Sequence, residues 1–377
     1  MSQPVPVGPA YPSRSLAAVL PSMGASLGAA LPNTLRLPKV KTTCLLMIDG
    51  LGSALLKRYA GHAPFLSSAA RDTLSSAFPT TTAASLATLG TGLAPGQHGL
   101  IGYDVLDPDR GVVVNQLGGW DPGTVPELWQ PHPTVFTRLA ELGIEPVTVS
   151  RPNFAASGLT RAALTGSRFV PAKSLADRFS AARREAQDPG RLIYLYVNEL
   201  DKIGHAAGPG SEAWLEVLEE LDSAARRLAA QLPSGTGLLA TGDHGMIDVP
   251  EAHRIDYSLE PRLIDGVQFT AGEPRFVQLH FADDASDAVR ESTRRSWGRA
   301  YGDRAWVLTR AEAVDAGWFG PVDPRVLPRV GELIVAPFEP LALYDGRRVQ
   351  PGAFEMVGHH GAPTKAEREV PLLRLAS

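Results

Sequence analysis

Short apolar runs that stop at Gly, Pro or Asp alternate along the chain with longer stretches rich in Ala and Leu. That alternation is the pattern of repeated β-α-β units and predicts a mostly parallel sheet covered by helices. Residues 44–48, 146–150, 192–197 and 237–241 predict strands, and residues 82–90, 134–142, 174–185 and 211–232 predict helices. In the last of these, Trp214, Leu215, Leu218, Leu221, Ala225 and Leu228 recur at i, i+3, i+4 spacing. Glu216, Glu219, Glu220, Arg226 and Arg227 fall between them, so one stripe faces a core and the opposite one faces water.

The texture changes after Pro250, where residues 275–281, 305–308 and 333–336 read as strands around a single helix over 286–297. Residues 251–340 are therefore expected to be a small α/β insertion, and 33–250 with 341–377 the main α/β core. Residues 1–32, rich in Pro, Ala, Gly and Ser, read as an N-terminal extension.

Composition narrows the chemistry. With 44% hydrophobic and 20% charged residues over 377 positions, the chain can bury a sizeable core. A net charge of -4 with scattered Lys and Arg gives no basic field, which excludes bulk nucleic acid as a partner but not a nucleotide. Cys44 is the only cysteine, so an intramolecular disulfide and a cysteine-rich zinc knuckle are both impossible, and any metal must be held by His and carboxylate. No run approaches the roughly 20 apolar residues that cross a bilayer, and the N-terminus lacks a charged start followed by an apolar stretch. A cytoplasmic protein with no membrane association is expected, and the oligomeric state stays open.

Metal-type side chains recur where apolar runs stop: Asp49, Asp201 with His205, Asp243 with His244, and His359-His360. In open α/β sheets ligands gather beyond the carboxyl ends of the strands, so these residues fall on the edge where a site belongs. Asp201 and His205 are i and i+4, on one side of a helical turn. Taken singly, each Asp has the ordinary reading of a turn or cap residue. As a set they suit zinc, with manganese or another divalent ion also acceptable to such ligands. The other half of the chemistry is Phe78-Pro79-Thr80-Thr81-Thr82, whose hydroxyls run into a small-residue helix. A helix N-terminus favours an anionic oxygen, and a threonine hydroxyl becomes a useful nucleophile when a metal lowers its pKa. Two metals about 4 Å apart would activate that hydroxyl and hold the leaving oxygen.

Leu46-Met47-Ile48-Asp49-Gly50-Leu51-Gly52, Phe78-Pro79-Thr80-Thr81-Thr82, residues 91–99, Asp201-x-x-x-His205, Gly242-Asp243-His244-Gly245-Met246 and His360-Gly361 occur in that order. Together they resemble the nucleotide pyrophosphatase/phosphodiesterase branch of the alkaline phosphatase superfamily. The resemblance implies a three-layer αβα sandwich with a mostly parallel central sheet and a small α/β insertion. It makes Asp201, His205 and His360 the ligands of one zinc and Asp49, Asp243 and His244 those of the other. Thr82 becomes the nucleophile that also touches the second zinc, because the family's spacing to Thr91-Gly92-Leu93 fits Thr82 and misses Thr81 by one. His360 is preferred to His359 because the family's ligand directly precedes a Gly, and His98 is expected to be structural. Diesterases of this branch carry an Asn where this chain has Tyr103, so Tyr103 and Asn115 are the candidates for contacting substrate. Residues 103–133 are the expected substrate-shaping loop.

The implied function is a two-metal hydrolase of phosphate diesters or nucleotide pyrophosphates acting through a phosphothreonine, with a small phosphate ester or nucleotide as substrate. A phosphomonoesterase or phosphonate hydrolase on the same scaffold is the nearest alternative. A binding protein that kept the ligands and lost turnover is the alternative of another class.

Overall fold

Every residue of the strand Thr42–Ile48 is buried, because its alternate side chains feed two different cores. Leu45 and Met47 pack with Phe78, Leu86 and Phe136, whereas Cys44, Leu46 and Ile48 pack with Leu56, Trp214 and Leu218. A continuous apolar run is what a central parallel strand needs when helices cover both faces of its sheet. The computed structural model describes residues 3–376. Its first eight strands are β1 (Thr42–Ile48), β2 (Ala70–Ser75), β3 (Asp104–Asp107), β4 (Val112–Asn115), β5 (Glu145–Ser150), β6 (Arg168–Pro171), β7 (Arg191–Val197) and β8 (Thr236–Thr241).

The main sheet has seven strands in the order β2, Glu369–Ala376, β8, β1, β7, β5, β6. The five from β8 to β6 are parallel, and Glu369–Ala376 closes one side antiparallel to both β8 and β2. The helix Thr82–Thr91 lies on one face, and Glu212–Gln231 with Leu175–Glu185 on the other, giving three layers. The α/β fold with a large, mostly parallel sheet is the class expected from the alternating runs. The longest predicted helix is Glu212–Gln231, started by Ser211, whose side chain accepts from the Trp214 amide.

A second sheet of six strands runs Ala305–Thr309, Leu333–Pro337, Phe276–Phe281, Val267–Glu273, β3, β4, all antiparallel. It thus draws two strands from before residue 251. Asp104 pairs with Gly272 across the junction. Each strand of the β3–β4 hairpin has only four residues, DVLD and VVVN, inside a Gly- and Pro-rich segment that reads as loop in the sequence.

Residues 3–26 are also built into the fold. Leu16, Val19, Leu20 and Met23 are buried in the core that holds Phe78. Upstream of them, the Trp306 indole donates to the Gln3 and Pro4 carbonyls, and the Trp318 indole to that of Pro6. The prolines lose no hydrogen bond in this role, since only their carbonyls are used. Among the described residues no helix is long and apolar enough to cross a membrane.

One fully buried ion pair joins the second sheet to the C-terminal segment. Arg275 Nε and Nη2 donate to Glu367 Oε1 and Oε2 at 2.7 and 2.8 Å, and its remaining donors reach the Pro337, Glu339 and Leu341 carbonyls. Removing one partner strands a charge in the interior. Arg275→Leu is expected to lower the unfolding free energy by about 3–5 kcal/mol in denaturant titration, and the double change with Glu367→Leu to restore part of it. A loss below about 1 kcal/mol in the single variant would show that the pair does not tie these segments together.

Candidate metal centre

The site forms where β1, β7 and β8 end. Asp49 follows β1 directly, Asp243 and His244 follow β8, and Asp201 and His205 stand on the helix Glu199–Ala207 that follows β7. Parallel pairing of β1 with both β7 and β8 brings these ends side by side. His360 arrives from the segment after Gly358–His359, more than 100 positions downstream in the chain. Gly50 permits the close approach: its φ is +79°, and a Cβ there would lie 3.1 Å from the Asp201 Cα.

Two groups that could each hold a metal result, with the same members as the two sets implied by the family resemblance: Asp201, His205 and His360 in one, and Asp49, Asp243 and His244 in the other. Within each group the ligand atoms all lie within 4.8 Å of one another. His205 Nε2 is 3.3 Å from Asp201 Oδ1, and His244 Nε2 is 3.4 Å from Asp49 Oδ1 and 3.6 Å from Asp243 Oδ2. The His244 and His360 rings stack at 3.6 Å, so the groups are adjacent.

Each imidazole is oriented by its other nitrogen. His205, His244 and His360 direct Nδ1 at the carbonyls of Gly358, Gly245 and Thr80, at 2.8, 3.0 and 2.8 Å. Nδ1 therefore carries the hydrogen, and Nε2 presents a lone pair inward. The carboxylates are steered likewise: Asp243 Oδ1 accepts from the Gly50 and His244 amides, and Asp49 Oδ2 from the Tyr196 hydroxyl. The oxygens left over, Asp49 Oδ1, Asp201 Oδ1 and Asp243 Oδ2, are buried without any hydrogen-bond donor. Three orphaned carboxylate oxygens beside three imidazole lone pairs fit a divalent cation in each group.

The electrostatics agree with that fit. Burial, then the charge of Asp49, pushes the Asp201 carboxyl up to about 7; burial, then Asp201, pushes Asp243 up to about 7. Asp49 is held well above the usual range by burial and by Asp243. Burial lowers His244 to about 4 and drives His360 well below its ordinary value. Neutral imidazoles suit metal coordination, and a dication reverses the penalty on the carboxylates.

Thr82 begins the helix Thr82–Thr91, and its Oγ1 lies 3.1 Å from His244 Nε2. The Thr81 side chain makes no cap, so the first amides of the helix have no side-chain partner. The segment before it is welded to the His360 loop: the Thr80 amide donates to Gly361 O, its hydroxyl to Ala362 O, and the Gly361 amide to Thr80 Oγ1. Glu367 Oε1 accepts from the Ala362 amide, while its carbonyl accepts from Gly245, so the Arg275 pair also steadies the residues beside His360 and His244.

Other sequence candidates fall elsewhere. His359 is buried but turns away, with Nε2 on the Tyr344 hydroxyl at 2.6 Å. His98 bridges Thr88 and the Leu100 amide. Asn115 is taken up by a turn: its Oδ1 accepts from the Leu117, Gly118 and Gly119 amides and its Nδ2 donates to Asp104. The Tyr103 side chain is exposed, and its amide donates to Glu273 Oε2 at 3.1 Å. Of the six tryptophans, Trp129, Trp214, Trp297, Trp306 and Trp318 are core residues.

Several contributors escaped the sequence reading. Tyr196 holds Asp49, and the only trace of it is a Tyr194–Tyr196 pair at i, i+2 in an otherwise aliphatic strand. Glu273 is buried against Gly361, whose φ is +138° and whose added Cβ would meet Glu273 Cγ at 2.8 Å. Isolated charges such as Glu273, Arg275 and Glu367 carry no local pattern.

The fold, the paired groups and the helix-borne hydroxyl together define a member of the alkaline phosphatase superfamily. More particularly, the chain belongs to the type I phosphodiesterase / nucleotide pyrophosphatase family, whose family model matches residues 43–363. That membership places it among phosphoester hydrolases. Its fold is similar to that of murine ectonucleotide pyrophosphatase / phosphodiesterase 5, solved as an inactive variant in complex with AMP. The TM-score is 0.69 at 18% identity, covering 88% of this chain and 87% of that one. The human counterpart gives a TM-score of 0.67 at 18% identity, with 88% and 87% covered. Phosphonoacetate hydrolase from Sinorhizobium meliloti, in complex with phosphonoacetate, gives 0.67 at 18% identity, with 90% and 91% covered. No curated protein sequence matches the chain.

Two measurements check the electrostatics. Purified protein is expected to hold two divalent ions by mass spectrometry of metals and Asp201→Ala about one; equal content in both would contradict the grouping. Burial, reinforced by Asp104 and Glu367, raises the Glu273 carboxyl from 4.5 to about 8. A raised folded-state pKa penalises the folded state as pH climbs from the unfolded value through the folded one. Glu273→Gln should therefore match the parent near pH 4.5 and exceed it above pH 8, by on the order of 3 kcal/mol. A pH-independent difference in unfolding free energy would refute this.

Proposed function

We propose that the chain is a two-metal hydrolase of phosphate diesters or nucleotide pyrophosphates, with Thr82 as the nucleophile. The observation that carries the reading is the Thr82 hydroxyl itself, at the first turn of a helix and 3.1 Å from His244 Nε2. Asp49, Asp243 and His244 would hold one ion and Asp201, His205 and His360 the other, zinc suiting that mixture and manganese being acceptable to it. When bound, the ions supply Lewis-acid charge that lowers the pKa of a hydroxyl and offsets the charge of a phosphoryl group.

Thr82 Oγ1 attacks phosphorus; as that O–P bond forms, the bond to the leaving oxygen breaks, and the phosphoryl group remains as an ester of Thr82. The Thr82 hydroxyl proton passes through solvent to the leaving oxygen; water then bonds to the same phosphorus as the P–Oγ1 bond breaks, and a proton of that water restores the hydroxyl. The uncapped amides at the start of the helix donate to a non-bridging oxygen during both steps. Tyr196 and the Gly50 amide keep Asp49 and Asp243 from turning away. Tyr103, anchored through Glu273 beside Gly361, is the rim residue proposed to meet the substrate, in preference to Asn115, whose Oδ1 is committed to its turn and whose Nδ2 is held by Asp104. Similar folds solved with AMP and with phosphonoacetate support the reading of a small phosphorus compound as substrate.

Thr82→Ala should lose at least about 10³-fold in kcat/KM on a nitrophenyl phosphodiester while keeping its metal content; undiminished activity in that variant would sink the assignment. The parent should turn over the nitrophenyl diester faster than the monoester. The reverse order would favour the phosphomonoesterase reading.

A further inference from the structure

Among the described residues, seven helices of six or more residues begin after a Ser or Thr, and in six of them that side chain caps the first turn. Thr134, Ser157, Ser174, Ser211, Ser286 and Thr309 each accept from the amide three residues on. Thr81, before the helix Thr82–Thr91, makes no such bond. The cause lies in the backbone: φ is -132° at Thr81, against -62° to -82° at the other six. Two ties hold that rotation. The Thr81 amide donates to the Pro79 carbonyl at 2.9 Å, and Thr80 is fixed through its amide to Gly361 and through its hydroxyl to Ala362.

The freed hydroxyl is not used elsewhere. It makes no hydrogen bond among the described residues, and although Thr81 is only 2% exposed, its oxygen is not sealed from solvent as Glu273 Oε1 is. Glu273 lies close enough for this hydroxyl to favour its ionised form, yet no donor is within full bonding reach of Oε1. The same carboxyl holds the Tyr103 amide and packs against Gly361, the residue after His360. Thr81 thus opens onto the wall between His360 and Tyr103, and the next residue is Thr82, 3.1 Å from His244.

We propose that Thr81 is a second catalytic hydroxyl, donating its hydrogen to a non-bridging oxygen of the phosphoryl group while that group is attacked and carried by Thr82. The proposal rests on the phosphodiesterase reading above. The rotation at Thr81 serves this task twice. A hydroxyl turned back to cap would occupy one of the helix amides and aim its lone pair into the turn, whereas the observed one leaves the amides free and its own hydrogen free as well. A donor fixed beside the attacking oxygen also needs no reorganisation as charge develops on the phosphoryl oxygens. The neighbouring hydroxyls are already engaged. That of Thr80 donates to the Ala362 carbonyl, and that of Ser85, one turn further on, pairs with Ser76.

The test measures metal-loaded parent, Thr81→Val and Thr81→Ser on ethyl nitrophenyl phosphate, with orthovanadate, a mimic of pentacoordinate phosphorus, as inhibitor. Thr81→Val is expected to lower kcat by about 10²-fold while KM changes by less than about threefold. Vanadate should bind this variant more weakly by a similar factor, since the lost contact belongs to the transition state. Thr81→Ser keeps the hydroxyl and should stay within about fivefold of the parent. Because the hydroxyl makes no bond within the protein, metal content and thermal midpoint should match the parent in both variants. Unchanged kcat in Thr81→Val would overturn the assignment and leave Thr82 as the nucleophile. An equal loss in Thr81→Ser would trace the effect to the methyl group, and a loss matched by a fall in metal content or midpoint would trace it to the fold; either overturns the proposal. No turnover of the diester by the parent would overturn it together with the phosphodiesterase reading.

Discussion

Three carboxylates meet at one end of the main sheet, Asp49 and Asp243 buried and Asp201 partly buried, and among the described residues no lysine or arginine forms an ion pair with any of them. Much of the surrounding structure answers to that constraint. Like charges crowded in a region of low dielectric repel strongly, so such a cluster persists only where it is worth more for binding cations than it costs in stability. The three imidazoles beside them are locked by their Nδ1 hydrogens with lone pairs facing inward, which leaves this candidate metal site with no internal counter-charge. Among the described residues Thr82 is the one hydroxyl hydrogen-bonded to a histidine of this set, and it does so from the positive end of a helix dipole.

Holding such a cluster takes a rigid frame, and the second sheet and N-terminal segment supply part of it. The Arg275–Glu367 pair, Glu273 against Gly361 and the Thr80 hydrogen bonds join the hairpin at residues 273–276, the His360 loop and the start of the Thr82 helix. The Tyr11 hydroxyl donates to Trp318 and accepts from the Phe78 amide, so the N-terminal segment reaches the same loop from the other side. Residues far apart in sequence thus set the position of a few atoms, the requirement for a preorganised site.

The main sheet and the strand-end residues of the candidate site were legible in the sequence because parallel strands buried on two faces must be continuous apolar runs, and their ends are where polar side chains can emerge; their division into two groups came from the family resemblance. Asp49, Asp201 and Asp243 each follow such a run or open the helix after it. His360 was legible only through resemblance, since it follows no long run and lies beside His359, which has the same chemistry and the opposite orientation. The β3–β4 hairpin was not legible, because its strands have only four residues each and too few apolar positions to set a period. Nor was the fate of Asn115, whose side chain closes a local turn that composition cannot distinguish from a free amide. Tyr196 and Glu273 act through single contacts across elements, and such contacts leave no periodic trace.

The central claim is that Thr82 carries the phosphoryl group between the two halves of the reaction. Acid quenching of metal-loaded protein during turnover of an alkyl nitrophenyl phosphodiester, followed by peptide mapping, tests it most directly. The account predicts the alkylphosphoryl mass on the peptide containing Thr82, with fragmentation placing it on that residue alone. The mass on Thr80, Thr81 or Ser85 instead, or steady turnover with no adduct at any quench time, would contradict it.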